Sequence, residues 1–195
     1  MKFSNEVLKE ASAAGSKKIA DAFSVLSGAQ VSVTVSKSEA VPLKESLQSL
    51  TKPQEHAVVV YAQLLSGMPG VSVLILSRES ALTLVDLLNR QPPGTTGVMK
   101  DIDRSAIKET LNILSNSYMT ALSESTKMTM GLGVPGMIPS SRFESIVADL
   151  VSRDADSDDS AVLFETTLTI TEHKIEAQFS LLFNERLTEL ISKDL

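Results

Sequence analysis

The stretch from Asp103 to Ser125, DRSAIKETLNILSNSYMTALSES, reads as one long amphipathic helix on which the rest of the chain can be arranged. At about 100° per residue, Ile107, Leu111, Leu114, Tyr118 and Leu122 fall on one stripe, the pattern of a helix laid on a core. Ser105, Glu109, Asn112 and Asn116 project close to the opposite direction, so a hydroxyl, a carboxylate and two amides share one exposed face. A solvated helix face is ordinarily built of Lys, Arg and Glu. Mid-helix Asn is a poor helix former with no packing to justify it there, so two on one face point to a site.

The chain around this helix has 195 residues, 43% of them hydrophobic, enough for one domain with a proper core or for two halves sharing one. Cys is absent, which excludes a disulfide framework, a thiol nucleophile and a thiolate metal site. The opening residues MKFSNEVLKE lack the apolar core of a signal peptide, and the longest apolar runs, Ala57 to Ala62 and Val73 to Leu76, are of strand length. The expectation is a soluble, cytoplasmic protein. A net charge of −6 with no run of Lys and Arg argues against binding to nucleic acid or to an anionic membrane.

The chain opens with a helix predicted over Ser4 to Ser27, apolar at Leu8, Ala11, Ile19, Ala22 and Leu26 and stopped by Gly28. AQVSVTVSKS then alternates as a half-buried strand with Val31, Val33 and Val35 facing in. Pro42 and Pro53 bound a short helical piece around Leu43 to Leu50. HAVVVYAQLL and VSVLILS form strands around the turn SGMPG, Arg78 to Asn89 is a helix, and RQPPGTTG is the most linker-like stretch. The same order then repeats: the Asp103 to Ser125 helix, a strand Lys127 to Leu132, the turn GVPGMIP, a helix Ser141 to Arg153, a hairpin of AVLFETTLTI and KIEAQFSLLF, and a last helix Glu185 to Lys193.

With an offset of 99, Lys9-Glu10 meets Lys108-Glu109, Ala22 meets Ala121, Ser24 meets Ser123 and Val31 meets Met130. The shared register favours an internal duplication over coincidence. The expected fold is therefore α/β (α+β), a single domain over 1–195 made of two repeated halves, about 1–95 and 96–195, with pseudo-two-fold symmetry and mostly antiparallel strands. The halves differ where it matters. The counterpart of the Glu109 and Asn112 face is Glu6, Glu10, Ala13 and Lys17, so the first half keeps the carboxylate and loses the amide.

Ser105, three residues, Glu109, two residues, Asn112, then twenty-two residues and Pro135 form a spacing that resembles the signature of the CheC, CheX and FliY family of response-regulator phosphatases. The likeness extends to the duplicated halves, each opening with the motif-bearing helix. The first copy is degenerate: Glu10 is present, Ala13 replaces Asn, and Ser36 stands at the equivalent of Pro135. FliY is set aside at this stage, because the chain starts almost at once with its first helix and stops after its last. CheX relatives tend to be shorter, and a chain of this length with one broken site looks most like a one-site CheC.

The resemblance implies a hydrolase, a protein aspartyl-phosphate phosphatase acting on a CheY-type response regulator in chemotaxis signalling, with CheD as a further partner. An acyl phosphate is already reactive, so hydrolysis needs a positioned water more than a strong base. An amide such as Asn112 can donate to and accept from that water without changing the charge. Glu109, one turn away, suits a cation on the partner, which the resemblance implies to be the regulator's active-site lysine. Mg²⁺ is expected from the regulator, with no cofactor of the chain's own. Ser105 reads equally as a cap-type residue, and Pro135 as shaping the turn beneath the helix rather than touching substrate.

Other motifs carry less. GLGVPG at Gly131 to Gly136 fits G-x-G-x-x-G, but no helix follows to receive a pyrophosphate, so a turn is expected. Asp154, Asp156, Asp158 and Glu165 fall at calcium-loop positions, but Asp159 stands where the loop needs Gly, which leaves a solvated acidic loop as the better account. His56 and His173 have no partners in sequence for a metal or a triad. Met99, Met119, Met128, Met130 and Met137 read as core filler. The second functional reading is a non-catalytic adaptor that binds phosphorylated CheY or CheD, and the third and weakest is a calcium-responsive module at Asp154 to Glu165.

Overall fold

A computed structural model describes residues 4–65, 70–126, 130–152 and 159–184. The first helix, α1 (Asn5–Ser27), begins at Ser4, whose side chain accepts from the Val7 N–H, and ends at Gly28, which takes φ 70° and donates its own N–H to Ser24 O. There follow β1 (Ser32–Pro42), α2 (Leu43–Ser49), β2 (Val58–Gln63), β3 (Gly70–Leu76), α3 (Arg78–Leu88), α4 (Asp101–Thr126), β4 (Gly136–Ile138), α5 (Phe143–Val151), β5 (Ser160–Ile170) and β6 (Ile175–Asn184).

The strands form one six-stranded sheet in the order β1-β5-β6-β3-β2-β4, every pairing antiparallel. If β4, β5 and β6 are matched with β1, β2 and β3, this order reads the same from either end. The pseudo-axis lies between β3 and β6. Each half lends its first strand to the other: β1 pairs with β5, and β4 pairs with β2. The predicted register also appears in burial. Leu8, Ala11, Ser12, Gly15, Ser16, Ile19 and Phe23 of α1 map, at the offset of 99, onto Ile107, Thr110, Leu111, Leu114, Ser115, Tyr118 and Leu122, and all are buried.

Helices α1, α3 and α4 cover one face of the sheet, and α2 and α5 the other. The central strands are covered on both sides, so β3 reads as the continuous apolar run GVSVLIL: Leu74 and Leu76 join the core under α1 and α4, while Val71, Val73 and Ile75 join the core under α2 and α5. The two long helices meet at Gly15. A Cβ placed there would lie 2.7–2.8 Å from three ring atoms of Tyr118. That ring is fully buried, its hydroxyl 3.2 Å from Ser12 Oγ, with Phe164 and Phe179 at centroid distances of 5.4 and 5.7 Å. Burial pushes the Tyr118 phenol well above its ordinary pKa range, so it acts as a neutral packing and hydrogen-bonding group.

Several expectations change. Val35 is 40% exposed rather than half-buried with Val31 and Val33: it lies on the edge strand of the sheet, next to the register shift between Val35 and Lys37. RQPPGTTG is no loose linker: the buried Asp86 carboxylate accepts from the backbone N–H groups of Gly94, Thr95 and Thr96 at 2.8–3.0 Å. Of the strand expected at Lys127 to Leu132, the described part makes only an isolated bridge, Leu132 to Leu64. Strand pairing instead starts at Gly136, within the expected turn, since Pro135 has no N–H to lend a ladder and Gly136 can approach the Tyr61 ring where a side chain could not.

Glu165 is also no calcium ligand. It is 1% exposed, accepts from Thr51 N–H at 2.7 Å and pairs with Lys37. Met119 is buried, and Met99, Met130 and Met137 pack at the core margin. Residues 66–69 of the expected SGMPG turn, the helix Glu185 to Lys193, Met128, Asp154, Asp156 and Asp158 lie outside the described residues.

Gly15→Ala should destabilise the protein by roughly 1 to 2 kcal/mol in urea denaturation, overpacking against Tyr118 outweighing the helix-propensity gain of about 1 kcal/mol. In a Tyr118→Leu background the same substitution should cost less. A Gly15→Ala protein with a raised midpoint would contradict the close packing described here.

Candidate functional site

The start of α4 is set from its own first turn. The Asp103 carboxylate, 6% exposed, accepts the Lys100 N–H at 2.8 Å and the Asn89 side-chain amide at 3.4 Å, which ties the helix to the end of α3. Because α4 begins at Asp101, Ser105 sits a full turn inside it, and its hydroxyl bonds back to Asp101 O at 3.0 Å. Ser105 is therefore no helix cap.

From Ser105 the exposed face continues through Glu109, Asn112 and Asn116, while Ile107, Leu111, Leu114 and Tyr118 are fully buried beneath. The polar side chains are linked. Asn112 Nδ2 donates to Glu109 Oε2 at 3.4 Å, and Asn116 Nδ2 donates to Asn112 Oδ1 at 3.0 Å and to Asn112 O at 2.8 Å. Asn116 thus holds the oxygen end of the Asn112 amide and Glu109 its nitrogen end. These contacts use one donor and one acceptor direction of that amide, leaving one of each for water or substrate.

The first half presents the same face without the amide. Glu10, Ala13 and Lys17 are exposed on α1 at the positions of Glu109, Asn112 and Asn116. Ser36, at the equivalent of Pro135, donates to Glu165 O at 3.1 Å within the β1 bulge. Pro135 itself is half-buried in the segment that runs beside β2, between the Leu132 bridge and β4, and it takes no part in the bonded chain from Glu109 to Asn116. That segment is held by Gly133 N–H to Gln63 O and Leu65 N–H to Gly131 O, at 2.8 and 2.9 Å.

The Glu109 and Asn112 face lines neither the cavity of about 580 Å³ nor the one of about 650 Å³. Exposed apolar groups that periodicity alone did not single out complete the picture. Among the described residues six large hydrophobic side chains are exposed; Val98 and Ile102 lie at the start of α4, and Leu65 and Val134 flank the Pro135 segment. Ile102, seven residues before Glu109, shares its side of the helix, a signal the sequence contains. A polar helix face that lines neither cavity and has an exposed Ile102 on its own side suits a macromolecular surface better than a small molecule. Among the described residues no three His, Cys, Asp or Glu side chains come together as a metal-ligand set, and no helix is long and apolar enough to cross a membrane.

No family model matches the chain. Among solved structures, Thermotoga maritima FliY matches with a TM-score of 0.69 and 18% identity over 99% of this chain and 97% of that one. The FliM middle domain from H. pylori matches with a TM-score of 0.58 and 15% identity over 98% of this chain and 99% of that one. The CheX-CheY-BeF3-Mg²⁺ complex from Borrelia burgdorferi matches with a TM-score of 0.55 and 12% identity over 92% of this chain and 97% of that one. The chain therefore has the fold shared by FliY, CheX and the FliM middle domain. The FliY match runs nearly end to end, so length gives no ground for setting FliY aside.

Asp103→Ala should remove roughly 1 to 2 kcal/mol of stability by leaving the Lys100 N–H without its acceptor. Amide exchange should accelerate first in the opening turn of α4. Unchanged protection in that turn would mean that Asp103 does not set the start of the helix.

Proposed function

We propose that the exposed face of α4 is a hydrolytic site for an acyl phosphate carried by a partner protein, and that the chain is a CheC-like phosphatase of a CheY-type response regulator in chemotaxis signalling. The observation that carries this reading is the bonded chain Glu109, Asn112, Asn116, which holds an amide in one orientation on the outer face of α4. The shared fold is in keeping with it, CheX being seen in one such structure together with CheY, BeF3 and Mg²⁺.

In the proposed reaction the free N–H and lone pair of Asn112 hold a water in line with the phosphorus. The water oxygen bonds to phosphorus as the bond from phosphorus to the aspartyl oxygen breaks, giving inorganic phosphate and a restored carboxylate. Glu109 pairs with the regulator's lysine and fixes the docked geometry. The regulator brings Mg²⁺ and the groups that bind the phosphate, and this chain supplies no cofactor. Ser105 and Pro135 are supporting residues, Ser105 on the docking face and Pro135 in the adjoining backbone. The working compartment on this reading is the cytoplasm, and CheD is a further candidate partner.

A second reading has a specific basis. The FliM middle domain has the same fold and is seen bound to FliG, so this architecture also serves complexes with flagellar proteins. A non-catalytic adaptor for phosphorylated CheY or CheD would use the same face, with Asn112 as a docking group.

Loss of phosphate from phosphorylated CheY, followed with and without the protein, separates the two readings. Asn112→Ala should lower turnover by roughly two to three orders of magnitude, about 3 to 4 kcal/mol, while leaving stability within a few tenths of a kcal/mol because Ala is the better helix former. Glu109→Ala should raise the Kd for the phosphorylated regulator as well as lower turnover, since its contact is already made in the ground state. Wild-type rates in Asn112→Ala would put the adaptor reading ahead.

Glu10→Ala should leave turnover largely intact, because Ala13 can hold no water beside it. Loss of turnover with regulator binding preserved would mean that the first half carries a working site.

A further inference from the structure

The cavity of about 650 Å³ opens where the N-terminal ends of α3 and α4 meet the β2 and β4 edge of the sheet. Its floor is apolar, with Leu82 from α3, Met99 from the segment before α4 and Met137 from β4. Its charged lining is of one sign: Arg78 opens α3, Arg104 lies on the first turn of α4, and among the described residues no Asp or Glu lines the cavity, in a chain whose net charge is −6. Both arginines are exposed, and among the described residues neither is paired with a carboxylate. Arg78 touches only the edge of its surroundings, Nη2 reaching Gly97 O at 3.5 Å. The nearby Asp103 carboxylate is turned inward and occupied by the Lys100 and Asn89 N–H groups. His56, at the outer rim, faces Glu55 at 3.6 Å.

The groove between α2 and α5 on the other face of the sheet makes a useful contrast. It is also apolar, but its charge is mixed, with Lys52 paired to Glu144 at 2.9 Å.

The basic cavity and the proposed site share α4: Arg104, on the cavity, immediately precedes Ser105, and the exposed Ile102 lies on the same turn as Arg104 and on the Glu109 side of the helix. We propose that this cavity is a second docking point for the same partner, receiving a segment that carries a carboxylate beside an apolar side chain. The carboxylate meets the guanidiniums of Arg78 and Arg104, and the apolar group covers Leu82, Met99 and Met137. The two arginines come from different halves of the chain, and Arg104 has no basic counterpart on α1: the residue matching it at the offset of 99 is Asn5. Docking is therefore directed to the equipped half.

This inference rests on the reading of α4 as a regulator-binding face, and its test separates the two. The measurement is KM and kcat for dephosphorylation of phosphorylated CheY by wild type, by R78E/R104E, and by K44E/K52E. The last variant makes the same charge change at the α2 and α5 groove. The inference expects KM to rise about tenfold or more in R78E/R104E with kcat held within about twofold, the effect to weaken with added salt, and KM to stay near wild type in K44E/K52E. Equal rises in both variants would reduce the effect to overall charge, and an unchanged KM in R78E/R104E, with its melting temperature retained, would remove the docking point. Either result overturns this inference while leaving turnover by the α4 face standing. Absence of turnover and of binding in the wild-type protein would instead overturn the reading on which it rests.

Discussion

The packing of Tyr118 of α4 into the space left by Gly15 of α1 is the contact on which the rest depends. Both helices are long and each needs only one apolar stripe covered, but they share a single face of the sheet and must approach closely to do so. A residue without a side chain on one helix lets the largest buried ring of the other fill the gap, with Phe164 and Phe179 beneath and Ser12 taking the hydroxyl. With the inner face of α4 anchored in this way, its outer face is presented to solvent at a defined rotation. The amide of Asn112 is then held by its own neighbours on the helix.

The strand exchange gives the same result at the level of the sheet. Because β1 completes the second half and β4 the first, neither half closes its own set of strands, and their stabilities are coupled through β3 and β6. Such a scaffold lets the outer faces of the two long helices differ without loss of the fold. Ala13 and Lys17 occupy the outer face of α1, where nothing in the core reads them, while Leu8, Gly15 and Ile19 on the inner face keep the packing.

On the proposed reading, the α4 face also assigns roles between partners. An enclosed pocket would have to supply every group that binds and polarises its substrate. A helix face carrying one oriented amide and one carboxylate can supply only those, so the remaining chemistry must come with the substrate, as it does when that substrate is a regulator holding its own metal and phosphate. The exposed Val98 and Ile102 then become part of the function, since a protein surface can cover them in a way that a small molecule cannot.

Much of this was legible in the sequence, for a local reason. The period of α4, the Ser4 and Gly28 limits of α1, the apolar run of β3 and the 99-residue register all depend on neighbours along the chain or on burial, and both leave periodic traces. The alignment of Glu109, Asn112 and Asn116 follows from helix geometry in the same way. What the sequence could not reveal depended on contacts outside the period of any one helix or strand. The bulge after Val35 is set by pairing with β5, the bonds that hold RQPPGTTG come from a carboxylate on the preceding helix, and the strand beside β2 begins only past Pro135 because Gln63, Leu65 and Tyr61 decide where the backbone can pair. Arg78 and Arg104 are likewise ordinary charged positions in their own helices, and only the meeting of α3, α4 and the sheet edge places them on one cavity. Periodicity along a chain determines which face of each element is buried; which exposed faces adjoin is decided by how the elements cross, and that is settled by tertiary packing alone.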